Sequence, residues 1–211
     1  MAHAGARPTL YGVATNGAGL ARHIGGTDDR RDRTSIPPAA MIRLAGQDWR
    51  ALKHLFSMGE GIVYGVASNG DLVWHRPKGA ANGAAAGPWE TRVVGVGWGA
   101  FTHVFTTGQG VIYAIKPDGT LLWYQHRGYL TGAGIDQPGA WQGPKQVGTG
   151  WQGFTQVFAA GNGHIYAINN AGELLYYRHR GWRDGSFDWD APVKLADGWG
   201  NYTQVFAATG Y

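Results

Sequence analysis

The stretch "GWGAFTHVFTTGQGVIYAI" occupies residues 97–115, and "GWQGFTQVFAAGNGHIYAI" occupies 150–168. The same phrase begins once more as "GWGNYTQVFAATGY" at 198–211. Anchoring on the tryptophan that opens each unit places Trp49, Trp98, Trp151 and Trp199 at spacings of 49, 53 and 48 residues. Leu52, Phe101, Phe154 or Tyr202 follows three residues later, then an apolar pair such as Val104-Phe105 or Val157-Phe158. A glycine turn leads to "IVYGVA", "VIYAIK" or "HIYAIN", and a second turn opens "LVWH", "LLWYQHR" or "LLYYRHR". A looser stretch holds Trp89, Trp141 or Trp189 and ends in "RVVGVG", "KQVGTG" or "KLADG". Turns such as "SNGD" and "KPDG" carry hairpin chemistry.

The unit that opens at Trp199 breaks off after one strand, and its continuation lies at the other end. "TLYGVATNGAGLARHI" (9–24) reads as strand, turn and strand, and "AAMIRLAGQDW" (39–49) as the last strand. Strand faces are apolar on both sides: Ile165 and Ala167 oppose Tyr166 and Ile168. Both faces must therefore be covered, and no 3.6-residue apolar stripe survives the glycines. Units of about fifty residues with four strands each describe a β-propeller. The expected fold is all-β: one propeller domain over 1–211, with four blades of four antiparallel strands. The last blade is expected to close jointly from 199–211 and 9–48.

Composition agrees and narrows the function. Gly numbers 36 and charged residues make up 15%, a balance of tight turns rather than of exposed helices. The net charge of +4 is dispersed, and the dense run "DDRRDR" (28–33) nearly cancels itself, so no nucleic-acid partner is expected. The absence of cysteine removes disulfides, thiolate metal sites and cysteine nucleophiles. No secretory signal and no membrane-spanning run is read, and the compartment is left open. The special residues recur instead of occurring once in asymmetric roles, and G-x-S-x-G, H-E-x-x-H and phosphate-loop motifs are missing. Paired carboxylates of the glycosidase kind do not recur either. No catalytic residue, cofactor or metal is expected.

The unit G-W-x-x-F-x-x-V-F-x-x-G-x-G-x-I-Y-A-I, followed by a tryptophan-bearing loop and "x-V-G-x-G", resembles the tachylectin-type propeller lectins. The resemblance covers residues 9–211. It implies a propeller that binds N-acetylated amino sugars in one small pocket per blade junction. The best-known members carry five units where this chain has four. Their Asp-Asn-Trp-like loop becomes "FDWD" around Asp188 and Trp189, "GAWQ" at Trp141 and "GPWE" at Trp89. "TSIPP" (34–38) lacks the tryptophan, so unequal sites are expected.

The candidate ligand-binding residues follow from repetition. Trp49, Trp98, Trp151 and Trp199 read first as wedges between blades, and second as indole faces beneath a sugar ring. Trp89, Trp141 and Trp189 stand in loops on a rigid scaffold, where function concentrates. Asp188 offers acceptors for vicinal hydroxyls or an amide N–H. Tyr124 and His126 share one strand face, as do Tyr177 and His179; they read first as outer-strand surface polars and second as ligand contacts. His54 and His103 share one repeat position with Gln156 and Gln204 and are expected to line a central channel. "DGSFDWD" (184–190) lacks the glycine and glutamate of a calcium loop. The leading reading is a multivalent lectin, a monomer or small homo-oligomer whose partners are glycans. The rivals are a protein-docking propeller and the targeting module of a larger protein.

Overall fold

The computed structural model describes residues 9–13, 19–23, 42–44, 49–78, 89–202, 205 and 207. Within them the chain is all-β, with 3-10 turns as its only helical elements. A first sheet joins β1 (Thr9–Val13), β2 (Gly19–His23) and β3 (Ile42–Leu44). The second runs β4 (Leu55–Gly59), β5 (Ile62–Val66), β6 (Leu72–Pro77) and β7 (Trp89–Gly95). The third runs β8 (His103–Gly108), β9 (Val111–Ile115), β10 (Leu121–His126) and β11 (Trp141–Gly148). The fourth runs β12 (Phe154–Ala159), β13 (His164–Asn169), β14 (Leu174–Arg178) and β15 (Val193–Ala196). All pairings are antiparallel between sequence neighbours.

Four sheets of four strands were expected; three such sheets form, and the sheet built from β1–β3 has three strands. The strand expected to complete it, at 202–206, falls largely outside the described residues. The three complete sheets stand side by side in a propeller-like order, because their first strands β4, β8 and β12 neighbour one another. The step is fastened by one repeat position. His54 Nε2 lies 3.4 Å from the Phe101 carbonyl, His103 Nε2 3.4 Å from the Thr155 carbonyl, and Gln156 Nε2 donates to the Tyr202 carbonyl at 2.6 Å. These side chains therefore stitch each first strand to the next unit, where the sequence suggested channel lining. Gln204 lies outside the described residues.

The core sits between the sheets. One cluster joins Tyr64, Leu72, Trp74 and Val94 of the second sheet to Trp98, Val104, Ile112 and Ala114 of the third. The next joins Tyr113, Leu121, Trp123 and Val147 of the third sheet to Trp151, Ile165, Ala167 and Trp182 of the fourth. Two-sided burial is thus realised, and burying each such side chain contributes roughly 1.5–3 kcal/mol. Each opening tryptophan starts a 3-10 turn, and three of them donate a backbone N–H to the hairpin of the preceding sheet: Trp98 to Gly70 O at 2.8 Å, Trp151 to Gly119 O at 3.0 Å and Trp199 to Gly172 O at 2.8 Å.

The glycine of "x-V-G-x-G-W" has a packing cause. A Cβ on Gly148 would lie 2.7 Å from Trp151 Nε1, and one on Gly95 would lie 2.5 Å from Trp98 Nε1. The bare backbone lets the indole lie flat, and Trp98 and Trp151 are each 5% exposed. Before Trp199 the same position holds Ala196, and Trp199 is only half-buried. Gly148→Ala is expected to cost about 1–3 kcal/mol by overpacking, read as a lowered urea midpoint with unchanged slope.

Candidate functional site

Two junctions are built from the same parts. Between the second and third sheets, Tyr64 on β5 and His126 on β10 meet, 62 residues apart in sequence, with Oη and Nδ1 2.6 Å apart. His126 Nε2 lies 2.7 Å from the Ala133 carbonyl, which can only accept. Nε2 therefore carries the proton, and the Tyr64 hydroxyl donates to Nδ1. The imidazole is fully buried and stacks on Trp141 at 4.3 Å. Trp141 Nε1 in turn donates to the Val94 carbonyl at 2.9 Å. From the second sheet, Trp74 Nε1 donates to the Tyr129 carbonyl at 2.7 Å.

The next junction repeats the design. The Tyr113 hydroxyl and His179 Nδ1 are 2.6 Å apart, and His179 Nε2 donates to the Ser186 carbonyl at 2.8 Å. His179 stacks on Trp189 at 4.2 Å, and Trp189 Nε1 donates to the Val147 carbonyl at 2.8 Å. Trp123 Nε1 donates to the Trp182 carbonyl at 2.7 Å, and Lys145 Nζ to the Asp184 carbonyl at 2.6 Å. The loop that follows the third strand of one sheet is thus clamped onto the sheet before it. Within that loop Gly185, at φ +70°, passes directly over the Trp123 ring, where no Cβ would fit.

Beside each relay stands an aromatic triad. Tyr124 packs on Trp98 at 4.8 Å and on Trp141 at 6.4 Å. Tyr177 packs on Trp151 at 4.8 Å and on Trp189 at 6.5 Å. Both tyrosines are half-buried, and neither hydroxyl makes a hydrogen bond among the described residues. Burial holds both phenols above their ordinary value, so both stay protonated at neutral pH. Each junction therefore presents one neutral hydroxyl, fixed in position by two indoles, to whatever comes from solvent.

The reading of Tyr124, His126, Tyr177 and His179 as outer-strand surface polars is corrected by these positions. Tyr124, His126 and Tyr177 stand on third strands, with β11 and β15 outside them, and His179 follows directly after β14, bridged to Trp189. His126 and His179 are at 0% exposure, and their hydrogen bonds are all internal, so neither imidazole is free to touch a ligand. Trp98 and Trp151, each 5% exposed, pack between adjacent sheets as the wedge reading has it, and Trp49, 3% exposed, packs on Val63 and Trp89 of the second sheet. Trp89, Trp141 and Trp189 are half-buried. Asp188 is exposed, its backbone carbonyl accepting from the Arg180 and Gly181 N–H groups. Among the described residues no three His, Cys, Asp or Glu side chains gather as a metal site, and no helix is long and apolar enough to cross a membrane.

Sequence reasoning missed Tyr64, Tyr113, Trp74 and Trp123, which build the opposite wall of each junction. The tyrosine of "VIYAI" and the tryptophan of "LLW" recur unit by unit, and that recurrence was the available signal.

Burial depresses the proton affinity of His126 and His179, the carbonyl bonds opposing it, and pushes His75 down to about 4. In each case the unfolded chain binds the proton more readily than the folded one. Stability is therefore complete above pH about 6.5 and declines as pH falls through that value towards 4. Urea midpoints measured between pH 7.5 and 4 are expected to fall steadily; a flat profile would contradict the neutral, buried imidazoles.

Comparison with known proteins places this architecture. A solved structure, from work on the de novo evolutionary emergence of a symmetrical protein shaped by folding constraints, superposes with a TM-score of 0.60. Identity is 21%, and the alignment covers 93% of this chain and 77% of that one, a likeness of fold alone. No curated protein matches the chain. The Tachylectin family model matches it twice, over residues 4–133 and 45–211, which together span nearly every position of the repeat. A chain with this repeat, these sheets and that match belongs to the Tachylectin family.

Proposed function

We propose that the protein is a multivalent carbohydrate-binding lectin that recognises N-acetylated amino sugars at the junctions between its sheets. The observation that carries this reading is the pair of hydroxyls of Tyr124 and Tyr177, without a hydrogen-bond partner among the described residues and each held between two indoles. An indole edge offers an apolar surface to sugar C–H groups, and the neutral phenol hydroxyl donates to or accepts from a sugar hydroxyl or acetamido group. Nothing in such a pocket needs to move a proton, which suits binding rather than turnover.

The ring itself belongs to the proposal. One domain over 1–211 closes as four blades when residues 199–211 complete the sheet of β1–β3. Residues 199–205 run on from the fourth sheet, as that closure requires: Gln156 Nε2 donates to the Tyr202 carbonyl, the Val205 N–H donates to Gln156 Oε1 at 2.9 Å, and the Trp199 turn packs against β13. Trp49, Trp89, Trp199 and Asp188 then mark the remaining junctions and the rim.

The test is a glycan array probed with the full chain. Signals confined to glycans ending in N-acetylated sugars are the expected result. Silence on every glycan, with capture of a discrete protein partner, would replace the lectin by the protein-docking reading.

A further inference from the structure

Strand register makes the four sheets comparable residue by residue, and they are not equal. Tyr124 pairs with Ile112 across its hairpin, and Tyr177 pairs with Ile165. The residue in the same register of the second sheet is His75, paired with Val63, and in the first sheet it is Arg22, paired with Leu10. Two positions on, where His126 and His179 stand, the sequence has Pro77 and Ile24.

These replacements remove the ligand-facing group. His75 contacts Trp49 at 4.8 Å just as Tyr124 contacts Trp98, but the shorter imidazole is 1% exposed and its Nδ1 lies 3.1 Å from the Thr91 hydroxyl. No hydroxyl stands out of that cluster. Pro77 has no backbone N–H, whereas the N–H groups of His126 and His179 close the turns at Gly110 and Gly163, at 2.8 and 2.9 Å. It also has no imidazole to receive a tyrosine hydroxyl from the neighbouring sheet. Arg22 carries no ring, and the sequence from 24 to 41 holds no tryptophan.

We infer that each chain holds two equivalent sugar sites, anchored by the Tyr124 and Tyr177 hydroxyls, rather than one site per sheet. This rests on the glycan reading above and sets its valency. Two strong sites on a ring read a clustered surface as a clamp does, and the remaining junctions serve only to close the ring.

The test is a titration of the full chain with free N-acetylglucosamine and N-acetylgalactosamine, followed by the indole N–H signals of its ten tryptophans. The Trp98, Trp141, Trp151 and Trp189 signals are expected to move, and those of Trp49 and Trp89 to stay. Tyr124→Phe should abolish only the first pair of shifts, and Tyr177→Phe only the second. The double variant should lose binding at least tenfold with an unchanged Tm, because neither hydroxyl has a partner to lose among the described residues. Sugar-induced shifts at Trp49, a stoichiometry of one, three or four, or full binding by the double variant overturns the count while leaving the lectin reading intact. Silence of the wild-type chain towards both sugars and towards the array overturns both.

Discussion

His179→Ala is expected to destabilise the fold by about 4 kcal/mol. Three losses combine. The fully buried ring leaves a void beneath Trp189, which had stacked on it at 4.2 Å. The Tyr113 hydroxyl, itself at 0% exposure, loses the acceptor that satisfied it, at about 1–3 kcal/mol for an orphaned buried donor. The Ser186 carbonyl loses its donor, so the loop over 180–190 loosens from the Trp123 face it covers. Against a total stability of about 5–15 kcal/mol for a domain, this is a large share.

The comparison variant is Tyr113→Phe, which keeps the ring and removes one hydrogen bond; its cost is expected near 1–2 kcal/mol. Denaturant titration of both singles and the double should then give a coupling energy of about 1 kcal/mol or more. His126→Ala should match His179→Ala, since its junction has the same distances. A loss below about 1 kcal/mol in either histidine variant would mean that the relay does not hold the sheets together.

The second large effect concerns clustered ligand. On the lectin reading a free monosaccharide touches one hydroxyl and two indole edges, so its Kd should lie roughly between 0.1 and 1 mM, worth about 4–5.5 kcal/mol. A surface dense in the same sugar engages a second site without a further loss of translational freedom, and apparent affinity should rise roughly 10²–10⁴-fold. Calorimetry with free sugar, set beside surface plasmon resonance on a dense glycan layer, measures the ratio. Diluting the immobilised sugar until neighbouring sites cannot be bridged should return the affinity to the free value. Equal affinities for free and clustered sugar would remove multivalency from the proposal.

Much of the architecture was legible in the residues. The recurrence of "GW", "VF" and "IYAI" located the strands, and the two-sided apolar pattern required sheets covered on both faces. The wedge role of Trp98 and Trp151 also followed, because a residue repeated at every strand entrance meets the same neighbours each time. The candidate site was only half legible. Tyr124 and His126 share a face, as alternation demands, yet one ends at solvent and the other in the core. Their fate depends on how high the next sheet rises against them, and no local pattern records that.

The amino-acid sequence by itself determined the repeat, the meandering antiparallel strands and the kinship, because hydrophobic alternation and turn chemistry act within a few residues. Only the tertiary structure decided that Tyr64 meets His126 and Tyr113 meets His179, partners 62 and 66 residues apart. It also decided that the Tyr124 and Tyr177 hydroxyls make no hydrogen bond among the described residues, while His75 in the same register closes on Thr91. Such pairings are set by the rotation of one rigid sheet against the next, summed over many side chains at once, and a one-dimensional period of about fifty residues cannot carry that angle.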